Sequence, residues 1–159
     1  MADEYIVCAV AFGSPKTILP NWILEKRVQD LSKGNKIFSD IEGASPTPLT
    51  VRKVVDEAKK TGVKKVMLVA APPHAWRVKR DIRKLGKMEG VELEIVYDDF
   101  LLKFPQDTWF SRESTQRWTS SVWMWWPYEI LVRMIPFKLY LRLADKETSR
   151  DSRGKSFLK

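Results

Sequence analysis

The stretch Lys64 to Lys87, KKVMLVAAPPHAWRVKRDIRKLGK, limits the possible folds more than any other part of the chain. Val66, Met67, Leu68, Val69 and Ala70 form an unbroken apolar run, the pattern of a strand covered on both faces in a parallel sheet. Ala71, Pro72 and Pro73 predict a sharp turn that stops the run. Ala75, Val78, Ile82 and Leu85 then recur at helical spacing, with Arg77, Arg80, Arg83, Lys84 and Lys87 spread over the remaining surface. The one histidine, His74, falls at this junction. In open α/β sheets ligands gather at the carboxyl ends of strands, and a helix start offers unpaired N–H groups to an anion. Three residues apart, His74 and Arg77 project from the same first turn.

The same unit repeats along the chain. Tyr5 to Phe12 reads as a central strand closed by the turn Gly13-Ser14-Pro15. Between Asn21 and Lys33, Leu24, Val28 and Leu31 mark a first helix, with Gly34 in the stop position. Lys36 to Ile41 is a short strand ending near Asp40 and Glu42, and a polar loop leads to Thr47-Pro48, an N-cap followed by a first-turn proline. Val51, Val54, Val55 and Ala58 give that second helix its buried face, and Gly62 closes it. Glu92 to Tyr97 forms a fourth strand, ending in Asp98 and Asp99. This alternation predicts an α/β fold: a Rossmann-like three-layer sandwich with a mainly parallel sheet of four strands. One edge would gather Ser14, Asp40, Glu42, Thr47, His74, Arg77, Asp98 and Asp99.

From Phe100 the composition shifts. Trp109, Trp118, Trp123, Trp125 and Trp126 crowd together, and short helices divided near Pro127 and Pro136 are expected. The plainest expectation is that these rings cover the last strand and enter the core. An interfacial membrane surface, for which tryptophan with Lys and Arg is a suitable composition, and a protein interface are the alternatives. Residues 144–159 are polar and read as a mobile tail, leaving 1–143 as a single domain.

At 159 residues the chain is long enough for one real core, and an apolar fraction of 44% argues against disorder. Cys8 is alone, so an intrachain disulfide and a cysteine-rich metal site are both excluded. Asp3 and Glu4 stand where a secretory signal would be basic, and Glu129 and Arg133 interrupt the best candidate span. The expectation is a cytoplasmic protein. A net charge of +8 suits an anionic partner such as a nucleotide, a nucleic acid or a lipid surface, although basic helix faces also serve solubility alone. P-loop, GxGxxG and GxSxG motifs are missing, as are helix-turn-helix and RNA-binding signatures, so no sequence-specific nucleic acid is expected.

His74 and Arg77 are the leading site candidates: a histidine near neutrality shuttles protons or binds phosphate, and an arginine forks onto phosphate or carboxylate. If a reaction occurs, His74, Arg77 and Asp98 are the expected catalytic residues. Gly13, Ser14, Thr47, Thr50 and Asp99 are expected to bind ligand, and no metal is expected. Adjacent residues at a strand end point in opposite directions, so at most one of Asp98 and Asp99 should face the cleft. The ordinary alternative makes His74 and Thr47 helix caps. The expected partner is a small anionic or nucleotide-like ligand, with at most weak, salt-reversible contact to anionic membranes.

With these residues in place, the chain resembles the YdcF-like family of α/β domains over about residues 5 to 143. The matches are AFGS at Ala11 to Ser14, Arg27, KIFSD at Lys36 to Asp40, Thr47 or Thr50, PHAWR at Pro73 to Arg77, the strand end Asp98-Asp99, and YEILVRM at Tyr128 to Met134. The resemblance implies a Rossmann-like fold, a small-molecule site at the strand ends, S-adenosylmethionine as a candidate cofactor, and envelope-related roles.

Overall fold

The computed structural model describes residues 4–12, 18–39, 47–110, 112, 114 and 116–156, and the side chains of all of these except 18–20 and 147–156. The strands are β1 (Ile6–Val10), β2 (Lys36–Ser39), β3 (Lys65–Ala70) and β4 (Glu94–Tyr97). The helices are α1 (Ile18–Leu31), α2 (Thr47–Thr61), α3 (Pro72–Met88), α4 (Val122–Met134) and α5 (Phe137–Ser156), with short 3-10 turns between β4 and α4. All four strands run parallel in the order β2-β1-β3-β4. The expected α/β architecture is therefore the observed one.

Burial on both faces of β1 explains why its sequence is apolar at every position rather than at alternate ones. Ile6, Cys8 and Val10 pack with Val51, Val54 and Val55 of α2 and with Val78, Ile82 and Leu85 of α3. Val7, Ala9 and Phe12 join Ile23 and Leu24 of α1, together with Trp109 and Trp125, on the other side. Cys8, paired between Phe38 and Leu68, is buried in the middle of the sheet. Gly34 and Gly62 have φ of 81° and 77°, the left-handed conformation in which glycine ends a helix, as their spacing predicts.

Several boundaries differ from expectation for identifiable reasons. Pro72 and Pro73 do not form a turn but occupy the first positions of α3, where a fixed φ suits the helix and a missing N–H costs nothing. Helix α4 passes through Pro127 instead of dividing there, and only Pro136 separates it from α5. The segment expected as a tail continues α5 to Ser156. Burial of the aromatic cluster is partial: Trp109 and Trp125 are in the core, whereas Trp118, Trp123 and Trp126 are exposed. Trp125 shares its side of α4 with Glu129 and Val132, and Trp123 and Trp126 lie on the opposite side at i and i+3.

Candidate functional site

Sheet order places the topological switch between β1 and β3, because β1 connects onward to β2 on one side while β3 and β4 extend the sheet on the other. Phe12 follows β1 and His74 follows β3, and their ring centroids are 6.2 Å apart at this edge. The start of α3 itself has few donors for an anion, contrary to expectation. Pro72 and Pro73 carry no N–H, and the N–H groups of His74 and Ala75 both donate to the Ala71 carbonyl at 2.8 and 2.9 Å.

What the edge does contain is a chain of buried polar side chains. Arg77 Nη2 lies 3.0 Å from His74 Nδ1, and Thr47 Oγ1 lies 3.3 Å from His74 Nε2. A guanidinium only donates, so Nδ1 is the acceptor, the ring proton sits on Nε2, and it points to the threonine oxygen. Burial, with the Arg77 charge adding to it, holds the His74 pKa well below the ordinary histidine value. The ring is neutral near pH 7 and does not act as a cationic phosphate clamp.

Arg77, expected on the surface, is buried. Its Nη1 is 3.5 Å from Glu129 Oε2, and its guanidinium lies over the rings of Trp125 and Tyr128 at 5.4 and 5.5 Å. Glu129 is 0% exposed, and its other oxygen accepts from Arg133 Nε at 3.3 Å. Trp125 closes the assembly, edge-on to His74 at 5.8 Å and to Phe12 at 4.9 Å. The sequence of contacts therefore runs from Glu129 through Arg77 and His74 to Thr47, the partly exposed member. Arg77 Nε and Glu129 Oε2 have no hydrogen-bond partner within it.

Asp98 has a different neighbour. Arg27 donates to it through Nε at 2.6 Å and Nη2 at 3.1 Å, and Asp98 Oδ1 also accepts the Phe100 N–H at 3.3 Å. Asp98 is buried and Asp99 is exposed, the divergence expected for consecutive residues at a strand end. Thr50 is buried on α2. Gly13, Ser14, Asp40 and Glu42 lie outside the described residues. The structure thus brings Thr47, His74 and Arg77 together and engages Asp98 with Arg27.

Sequence reasoning missed Glu129 and Trp125 as members of this assembly. A signal existed for Glu129, the one charged residue between Val122 and Val132. Such a charge inside an apolar helix needs a partner. Among the described residues no cluster of His, Cys, Asp and Glu has the arrangement of a metal site, and no helix is long and apolar enough to cross a membrane.

The depressed His74 pKa has a defined pH signature. Below pH ~6.5 the unfolded chain takes up a proton at this residue that the folded protein refuses, so stability falls as pH drops through that value. For one proton the slope approaches about 1.4 kcal/mol per pH unit. Thermal midpoints measured from pH 7.5 to 5 should show this extra slope in the wild type and lose it in His74→Gln. The chain's one histidine C2–H resonance should also stay unshifted across pH 6 to 7; an ordinary titration there would contradict the buried neutral ring.

Comparison of the chain with protein-family models, curated proteins and solved structures found no match.

Proposed function

We propose that this is a small-molecule-binding α/β domain whose ligand, anionic or nucleotide-like, sits at the carboxyl edge of the sheet beside Thr47 and His74. One observation carries the reading: the buried contacts from Glu129 to Thr47 converge on the β1/β3 switch point, where open α/β sheets bind ligands. Arg77 and Glu129 then act as the positioning pair that fixes the His74 tautomer. Thr47, half-buried at the start of α2, is the group in reach of a ligand. The YdcF-like resemblance supports the same edge and makes S-adenosylmethionine a compound to test, with adenine nucleotides and sugar phosphates beside it.

A thermal-shift screen with these compounds tests the proposal. A ligand at ~100 times its dissociation constant should stabilise the fold by about 2.7 kcal/mol. Thr47→Val keeps the side-chain shape and removes the hydroxyl. It leaves the buried His74 Nε2–H without its acceptor, at a cost of about 1–3 kcal/mol that is smaller than that of breaking the Arg77–Glu129 pair, and it should lose most of the response. A response that survives both Thr47→Val and His74→Gln unchanged, or no response from any compound, would remove this site from consideration.

A further inference from the structure

Helix α4 has an inverted distribution of polarity. Its inward side carries Trp125, Glu129 and Val132, all buried. The opposite side carries Trp123, Trp126, Pro127, Ile130, Leu131 and Met134, all exposed, with Trp123 at 87%. These positions follow at i, i+3, i+4, i+7, i+8 and i+11, so they form one continuous stripe along the helix. A stripe of this kind costs free energy in water unless something covers it.

Charge says what covers it. Arg133 on α4 and Lys138, Arg142 and Lys146 on α5 are all exposed, and Leu139 and Leu143 stand exposed among the α5 cations. The acids between residues 117 and 146 are Glu129, which is buried and pairs with Arg77 and Arg133, and Asp145, which is 3.2 Å from Arg52, so the α5 cations Lys138, Arg142 and Lys146 carry the charge argument. Apolar side chains rich in tryptophan on α4, followed along the chain by the exposed cations of α5, match in composition a layer of anionic headgroups above hydrocarbon. A second copy of this chain would carry the same net positive charge of +8, which like-charge repulsion opposes.

We propose that the outer stripe of α4, with the cations of α5, docks this protein on an anionic lipid surface, inserting Trp123, Ile130 and Met134 below the headgroups. This inference is independent of the ligand site, which lies on the other side of α4. It differs from purely electrostatic adsorption, since buried apolar area is not screened by salt whereas the Debye length shrinks to about 3 Å at 1 M.

The test is co-sedimentation of the full chain with phosphatidylcholine vesicles, with and without phosphatidylglycerol, at low salt and at about 1 M salt. Wild type should bind the anionic vesicles and retain part of that binding at high salt, and brominated acyl chains should quench its tryptophan fluorescence. The exposed triple variant Trp123→Ser, Ile130→Ser, Met134→Ser should bind more than about tenfold more weakly. Lys138→Ala with Arg142→Ala should weaken binding chiefly at low salt. Complete reversal by salt without quenching would overturn the insertion and leave charge alone. Absence of vesicle binding would overturn the proposal, and a dimer in solution that the triple variant abolishes would reassign the stripe to self-association. Should the triple variant fail to fold, the quenching of wild type decides alone.

Discussion

Replacing Arg77 with alanine should destabilise the fold by about 3–5 kcal/mol, the usual cost of leaving one charge of a buried pair without its partner. Glu129 is fully buried with Arg77 as one of its two ion-pair partners, so the change leaves Oε2 of the buried carboxylate without a counter-charge and only the partly exposed Arg133 on Oε1. Glu129→Ala should cost a similar amount by stranding the guanidinium. Removing both charges together, as Arg77→Met with Glu129→Leu, should cost clearly less than the sum of the single changes, because neither charge is then left alone. Urea unfolding of the two single variants and the double variant measures this coupling. Additive effects would mean that the pair contributes nothing as a pair. A consequence for function follows directly: loss of a ligand response in Arg77→Ala would not distinguish a lost contact from a lost fold, and Thr47→Val is the cleaner probe.

Trp125→Ala should be comparably severe, about 3–5 kcal/mol, as for other fully buried aromatic side chains. Trp125 is 2% exposed and touches Phe12 and His74 edge-on while covering the Arg77 guanidinium. Trp125→Phe should cost much less, since its indole N–H has no hydrogen-bond partner and phenylalanine forfeits only volume. Two residues away, Trp123→Ala should change stability by no more than about 0.5 kcal/mol, because the ring is in solvent. Thermal or urea unfolding of these variants checks the ordering. Equal losses at positions 123 and 125 would contradict the division of α4 into an inward and an outward face. Under the proposed docking, Trp123→Ala should weaken vesicle binding and Trp125→Phe should leave it unchanged.

Strand and helix placement was legible because burial writes itself into local pattern. The run from Val66 to Ala70 is apolar at every position because both faces of β3 are covered, and together with the alternation of strands and helices that pattern implies a parallel sheet. Gly34 and Gly62 stop helices through their own backbone freedom, which needs no tertiary partner. His74 was placed at the carboxyl edge of the sheet, where the structure has it, since its position after β3 is a matter of chain order.

Tertiary structure decided the rest, because it turned on which side of each helix meets which neighbour. Periodicity put Arg77 on a basic surface; the approach of α4 from more than forty residues further along buried it against Glu129. Nothing in the local pattern around Asp98 shows that Arg27 reaches it across 71 residues of sequence. Composition could not divide the tryptophans either: Trp123, Trp125 and Trp126 are chemically identical, and only the docking angle of α4 sends one ring into the core and leaves two in solvent. Sequence by itself determined the layers and the edge of this protein. Which charges are buried there, and which aromatic rings remain outside, depended on contacts between segments far apart in the chain.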